Sequence, residues 1–532
     1  MPTAPDGLRG VPVAVWLLVL MQTAWLLCVG VVYPSFQSPD EAAHLDYVLA
    51  HRHGEWLSDP GERLLQSGVL NAFGSVPPTH SERHQSDAHR PVPRAERKSF
   101  DELGTAPAPP KSLPNQMVQH PPLYYGLAAG WTRLIPGFSD LRFDVQVFWV
   151  RLLSTLLLAP VPLLLFVAGR RLLQSDSAAL GAAMLPLAIP SYLRTGSSVN
   201  NDALLVLAGT GLALLLAKVL AGDRRTRTAV LVGLTWAAML LTKGLALLLP
   251  PVIVGAYLAG SGGGLLRRVR SALVPSLVAG GTGAVLGGWW WVRNVALYGK
   301  VQPRGYGDAW PVERIYGVRH GATNGEFLHG VGIRLVKRSF GSLGLIDGPA
   351  LPFALVVTLF VLLALAVLCG LVLGLPGAVS PRTAGLVLLA PVGLCLLLIL
   401  VQIHPIYWQS RLFPGIQLRY FLPFIAGLVL PAALVLHRLS GRFSRWVPVA
   451  VLVGVTAYAW GVMLWYASEE FGSARGGAGN ALGTGLDYAL AWAPWPAAYA
   501  VVCASVGLGS AVLLAAAAAR LPRAERQEPA VT

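Results

Sequence analysis

The sequence is short of charge. Only 13% of its 532 residues are Asp, Glu, Lys or Arg, against about 25% in a soluble domain. That shortage excludes an ordinary soluble enzyme and a disordered chain. Cysteine is scarce too: Cys28, Cys369, Cys395 and Cys503 all fall within apolar stretches. They cannot staple a disulfide scaffold and show no metal-ligand spacing. No Walker A loop, no dinucleotide-binding G-x-G-x-x-G and no H-E-x-x-H occurs, so nucleotide-driven transport and zincin chemistry lose support. Heptads, tandem repeats and a terminal soluble domain are also missing. What is abundant is apolar: 54% hydrophobic residues and a mean hydropathy of +0.57, with a net charge of +15. This composition fits an all-α polytopic membrane protein.

A crossing helix needs about 20 mostly apolar residues. About twelve stretches qualify, with eleven to thirteen as the range: 11–33, 146–169, 178–195, 198–221, 228–243, 245–260, 271–292, 350–375, 384–403, 420–438, 446–466 and 492–519. The stretch 122–135 is shorter and reads as an interfacial helix. The first stretch lacks a small-residue cleavage site and reads as an uncleaved helix. Alternating sides from a cytoplasmic N-terminus puts Arg170 and Arg171, Arg224, Arg225 and Arg227, Arg267, Arg268 and Arg270, Arg438, Arg442 and Arg445, and Arg520, Arg523 and Arg526 on one side. That is the positive-inside pattern, with both termini cytoplasmic. The basic balance is therefore mostly topology, not a surface for nucleic acid. A full span at 122–135 would invert every later loop.

The expected organisation is a catalytic transmembrane unit at 1–440, C-terminal transmembrane helices at 441–520 and a cytoplasmic tail at 521–532. Three long segments fall outside the cytoplasm, 34–145, 293–349 and 467–491, together with the short 404–419. Ten of the eleven histidines lie outside. Residues 58–119 read as a long irregular loop and 472–485 as a flexible one.

Five constellations at the outer ends of the spans can carry chemistry. Ser38-Pro39-Asp40-Glu41-Ala42-Ala43-His44 brings two carboxylates and an imidazole onto neighbouring helix faces. It equally reads as a capping box with Pro39 in the first turn. His120-Pro121-Pro122-Leu123-Tyr124-Tyr125 opens the interfacial helix; His120 is either a site residue or a solvated loop histidine, and Tyr124 suits an interface belt. Lys243 lies between two apolar runs, as a snorkelling lysine or as an ammonium for an anionic headgroup. Arg293 and Asn294 follow Trp289–Trp291, with Arg293 an interface anchor or a phosphate fork. Arg419 and Tyr420 open the tenth span, Arg151 opens the second, and Asn200, Asn201 and Asp202 open the fourth. Together Arg151, Lys243, Arg293 and Arg419 are the cations a lipid-linked phosphate would need on one membrane face.

These motifs, P-D-E-A-A-H at 39–44, H-P-P-L-Y-Y at 120–125, R-L-L-S at 151–154, T-K-G at 242–244, W-x-R-N at 291–294 and R-Y-F-L-P at 419–423, occur in one order. The chain thereby resembles the GT-C superfamily of integral-membrane glycosyltransferases. It is nearest the branch of protein O-mannosyltransferases and the lipid A aminoarabinose transferase, and nearer still the bacterial membrane proteins with a P-D-E-x-x-H first-loop signature. The resemblance implies a GT-C-like bundle whose large first extracytoplasmic loop carries interfacial helices. It implies a multi-pass plasma-membrane enzyme, a hexosyl- or pentosyltransferase of the cell envelope. A sugar would move from a polyprenyl phosphate to an extracytoplasmic glycan, lipid or protein. By motif, Asp40 would be the general base and Glu41 the second acidic position, both of them catalytic. Lys243 and Arg419 would lie at the donor phosphate, with His44, His120, Tyr124, Arg151, Arg293, Asn294 and Tyr420 in the substrate site. No cofactor is required; a divalent cation held by Asp40, Glu41 and His44 is compatible with the spacing. The alternatives are a lipid-linked glycan transporter or flippase, and a polymerase or ligase using a polyprenyl diphosphate.

Overall fold

In a computed structural model, the described residues are 10–76, 91–105, 114–305, 308, 311–340, 351–472 and 481–521. They form helices joined by turns, with one isolated antiparallel bridge between Leu64 and Pro114. Among the described residues, eight helical stretches are long and apolar enough to cross a membrane: Val13–Val32, Phe143–Leu173, Asp202–Leu220, Leu265–Gly287, Phe353–Leu373, Pro381–Ser410, Gly441–Phe471 and Ala497–Ala519. Four more apolar helices are shorter: Asp176–Ala188, Thr226–Leu240, Pro250–Ala259 and Ala426–Leu439.

Proline and glycine explain where the expected spans fall short. The stretch 178–195 is not one helix. It breaks into Asp176–Met184, a 3₁₀ turn at Leu185–Ala188 and a new helix at Pro190–Gly196. Pro186 and Pro190 have no backbone N–H for the preceding turn, so the ladder cannot run through. Pro250 restarts the chain in the same way after the 3₁₀ turn Gly244–Leu248. The stretch 271–292 divides at Gly288 into Leu265–Gly287 and Trp289–Tyr298.

The segment 34–145 is less irregular than its composition suggests. It holds helices at Glu41–Arg52, Ser67–Ser75 and Phe100–Gly104, and the interfacial stretch forms Leu123–Arg133. Parts of the expected irregular run, 77–90 and 106–113, lie outside the described residues. Of the loop expected at 472–485, residues 473–480 lie outside them too, while 481–485 are the first turns of a helix, Ala481–Trp492.

The first and last described helices pack along each other. Gly507 lets them close: a Cβ there would lie 2.4 Å from Trp25 Cδ1. Three arginines from the first long segment bind the end of Ala481–Trp492. Arg94 donates to the carbonyls of Leu490 and Ala493, Arg97 to those of Ala491, Trp492 and Ala493, and Arg142 to that of Pro494. Cations suit a helix C-terminus, where carbonyls lack intrahelical partners. Asp144, with a side chain 1% exposed, balances Arg97 at 2.6 Å and Arg142 at 3.3 Å.

Candidate active site

Glu41 is the first residue of its helix, but it caps nothing. The expected capping box is absent because Asp40, not Ser38, is the N-cap residue, and no side chain caps the helix start. Instead the Glu41 carboxylate turns inward. Arg151 Nε reaches Oε1 and Nη2 reaches Oε2, both at 2.8 Å, the bidentate fork geometry. The same carboxylate accepts from the backbone N–H groups of Phe36 and Val199 at 2.8 and 2.9 Å. Arg151 gives its remaining protons to the carbonyls of Gly30, Tyr33 and Pro34. Every donor of the guanidinium thus has a partner. Burial alone would push the Glu41 carboxyl up, but the Arg151 charge and these hydrogen bonds hold it below its ordinary value. This pair joins the end of the first helix, the start of Glu41–Arg52 and the loop at Val199. It is a sealed joint: Glu41, expected to be catalytic, and Arg151, expected in the substrate site, spend their described hydrogen bonds on each other and on the backbone.

Asp40, one residue earlier, points the other way. It sits at φ +62°, the left-handed region, which costs a non-glycine residue on the order of 1 kcal/mol. Arg419 holds it there, with Nη2 2.6 Å from Oδ2; Gln116 donates to Oδ1 at 3.4 Å. Arg419 also faces Asp202, Nε to Oδ2, at 3.6 Å. Asp202 in turn accepts from Lys243 Nζ at 2.5 Å. Both cations lie over the Tyr420 ring, Lys243 at 4.9 Å and Arg419 at 5.5 Å from its centre. Asp40, Arg419, Asp202 and Lys243 therefore form one chain of alternating charge. Exposure grades along it: the side chains are 0% exposed at Asp202, 10% at Lys243, 12% at Arg419 and 30% at Asp40.

Local sequence explains the convergence. Helix Thr226–Leu240 ends in the Thr242-Lys243-Gly244 turn. Leu123, opening the interfacial helix, donates its N–H to the Leu241 carbonyl, and Asn201 donates its amide to the Thr242 carbonyl. At Gly244 a Cβ would meet Gln302 Oε1 at 2.7 Å, so a side chain there would push the glutamine aside. Asp202 opens its own helix, where a carboxylate is stabilised by the helix dipole.

His44 and His120 line the same region. Their rings stack with centres 6.3 Å apart, and His44 Nδ1 pairs with the Tyr125 hydroxyl at 2.9 Å. Burial first, then the nearby cations, pushes both imidazoles well below their ordinary value, so both are neutral. His120 is no solvated loop histidine. It is 8% exposed, and its buried Nδ1 has no hydrogen-bond partner. Tyr124 is fully buried, edge-on to Tyr125.

Arg293 and Asn294 do not join the ionic chain in their described contacts. Arg293 lies over the rings of Trp290 and Tyr298, and Tyr298 bonds to Asp59. Asn294 is buried and donates to the Val301 carbonyl, while Trp291 donates to the Leu240 carbonyl. This motif braces the lysine turn from outside. Among the described residues no three His, Cys, Asp or Glu side chains are grouped to hold a metal ion. Asp40, Glu41 and His44 do not fit that role, because they turn to Arg419, Arg151 and Tyr125.

The profile of a family described as "Predicted membrane protein (DUF2142)" matches residues 24–428. The chain belongs to the DUF2142 family. All four charges of the ionic chain fall within the DUF2142 match, and the helices after residue 440 fall beyond it. With eight crossing-length apolar helices among the described residues, this DUF2142 chain is a multi-pass membrane protein. No curated protein matches it. Among solved structures it is similar to ArnT from Cupriavidus metallidurans in the apo state, with 15% identity and a TM-score of 0.44. The form of that protein bound to undecaprenyl phosphate gives 14% and 0.43; in both cases the match covers 95% of this chain and 77% of the other. The apo oligosaccharyltransferase of Archaeoglobus fulgidus gives 13% and 0.38, covering 95% and 56%. These are distant likenesses.

The residue that sequence reasoning undervalued is Asp202. It was legible as a carboxylate at the start of one apolar run, opposite in sign to Lys243 at the end of another. Gln116 gave no signal.

Proposed function

We propose that this protein is a membrane glycosyltransferase that moves a sugar from a polyprenyl-phosphate donor to an acceptor hydroxyl. The observation that carries the reading is the partly exposed Asp40 carboxylate beside two sheltered cations, Lys243 and Arg419. Transfer to a hydroxyl needs a base in reach of its proton. It also needs positive charge where the leaving phosphate gains charge, in a place where water does not dilute it.

In the proposed step the acceptor oxygen attacks the anomeric carbon. Its proton passes to the Asp40 carboxylate. The bond from that carbon to the phosphate oxygen breaks, and the polyprenyl phosphate leaves with the electron pair. Lys243 and Arg419 receive the developing charge, and Tyr420 keeps them together. His120 and His44, both neutral, can hydrogen-bond sugar or phosphate without adding charge. One displacement with one base implies inversion at the sugar carbon and uses no cofactor. The basic loops of the sequence support a topology with both termini in the cytoplasm and this site on the extracytoplasmic face.

The test is transfer from a polyprenyl-phosphate sugar in proteoliposomes. Asp40→Asn should lower the rate by about 10²- to 10⁴-fold without changing the melting temperature. Full transfer by that variant would remove Asp40 from the role of base.

A further inference from the structure

The four charges of the site are not held alike. Lys243 is bonded to Asp202, a carboxylate with no exposed surface, whereas Arg419 is bonded to Asp40, whose side chain is 30% exposed. Between Arg419 Nε and Asp202 Oδ2 there is a gap of 3.6 Å. That is too long for a hydrogen bond, and both atoms are buried with no hydrogen-bond partner. A buried donor and a buried acceptor face each other just out of reach. Buried polar atoms are rarely left so, because each unpartnered one costs about 1–3 kcal/mol. Closing the gap needs a shift of well under one ångström and draws the guanidinium toward the deeper carboxylate.

The charge count adds a second constraint. Two carboxylates already balance two cations, and the neighbouring imidazoles are neutral. An incoming phosphate finds no unpaired cation in this group, so a full ion pair with Arg419 comes at the expense of one of its carboxylates. Displacing Asp202 would strand a buried charge, which is very costly. Displacing Asp40 returns to water a carboxylate already part-hydrated, which costs little.

We infer that Arg419 changes partners during the reaction: it holds Asp40 while the site is empty and releases it to a donor phosphate, with Asp202 as the fixed counter-ion of both cations. This rests on the donor reading above and adds an order to it. Asp40 is free to take the acceptor proton only once the donor is seated. An empty site thus keeps its base locked.

Binding of undecaprenyl phosphate to the full chain in nanodiscs tests this without catalysis. Asp40 competes with the phosphate for Arg419, so Asp40→Asn should tighten binding on the order of tenfold. In an Arg419→Gln background the same change should leave affinity within about twofold. Asp40→Gly, which suits a positive φ, should repeat the result if the asparagine variant folds poorly. Absence of tightening overturns the exchange while leaving the donor reading intact. Equal tightening with and without Arg419 also overturns it, since that is general repulsion between Asp40 and the ligand. If the unaltered chain does not bind undecaprenyl phosphate, the donor reading falls and the exchange with it.

Discussion

Asp40 and Glu41 are neighbours in the chain, each paired with an arginine, yet their surroundings are opposite. Glu41 has four hydrogen bonds from Arg151, Phe36 and Val199, and its side chain has no exposed surface. Asp40 has one short bond to Arg419, one long one to Gln116, a left-handed backbone and an open side. A carboxylate with every lone pair committed cannot accept a proton without breaking a joint. One with an open side and a single short bond to give up can. The difference separates a group that holds the fold from a group that can act.

Three outcomes would break or sharpen this contrast. The largest concerns Glu41. Glu41→Gln keeps the shape but leaves the buried Arg151 charge without its counter-charge, a loss of about 3–5 kcal/mol. Unfolding in detergent should show it as a large drop in stability. Unchanged stability with lost transfer would instead place Glu41 in the chemistry and erase the distinction.

The second concerns acid. His44 and His120 stay neutral in the folded chain, while in the unfolded chain they take protons near 6.5. Below that pH the unfolded state binds more protons, so stability falls by about 1.4 kcal/mol per pH unit for each histidine. Above it their contribution is complete. Glu41 titrates below its ordinary 4.5, so the sealed joint weakens only under stronger acid. Melting temperatures measured from pH 8 to pH 5 should decline in that window, and replacing both histidines by glutamine should flatten the slope. A flat profile in the unaltered chain would contradict their buried, neutral state.

The smallest concerns Tyr420, whose ring carries both cations. Tyr420→Leu should weaken polyprenyl-phosphate binding by about 0.5–1 kcal/mol with the melting temperature nearly unchanged. A large loss of stability would mean that the ring packs the core and does not steer the cations.

Much of this was legible in the sequence, because composition and spacing report what is local. The apolar runs gave the crossing helices, and Pro-Pro at 121–122 marked the start of the interfacial helix. The motif residues Asp40, Lys243, Arg419 and Tyr420 do converge. What was not legible is partnership over distance. Glu41 and Arg151 are 110 residues apart, and nothing in either motif says that they saturate each other. Arg293 resembles Arg419 by position, but its neighbouring tryptophan and a tyrosine five residues on claim it. Asp202 looks like an ordinary acid at a helix start until Lys243 is brought beside it.

The three-arginine clamp has a consequence for how the molecule is made. Arg94, Arg97 and Arg142 emerge from the ribosome well before the carbonyls they bind, at 490–494, which lie 352–399 residues further on. Arg97 is almost wholly buried, and three of its acceptors lie 394–396 residues further on. Until those arrive, its guanidinium has Asp144 and the Val92 carbonyl as partners. The segment that carries Asp40 therefore waits, part-made, until residues 490–494 are translated, and a chain stopped before residue 490 would reach the membrane with that segment unfastened.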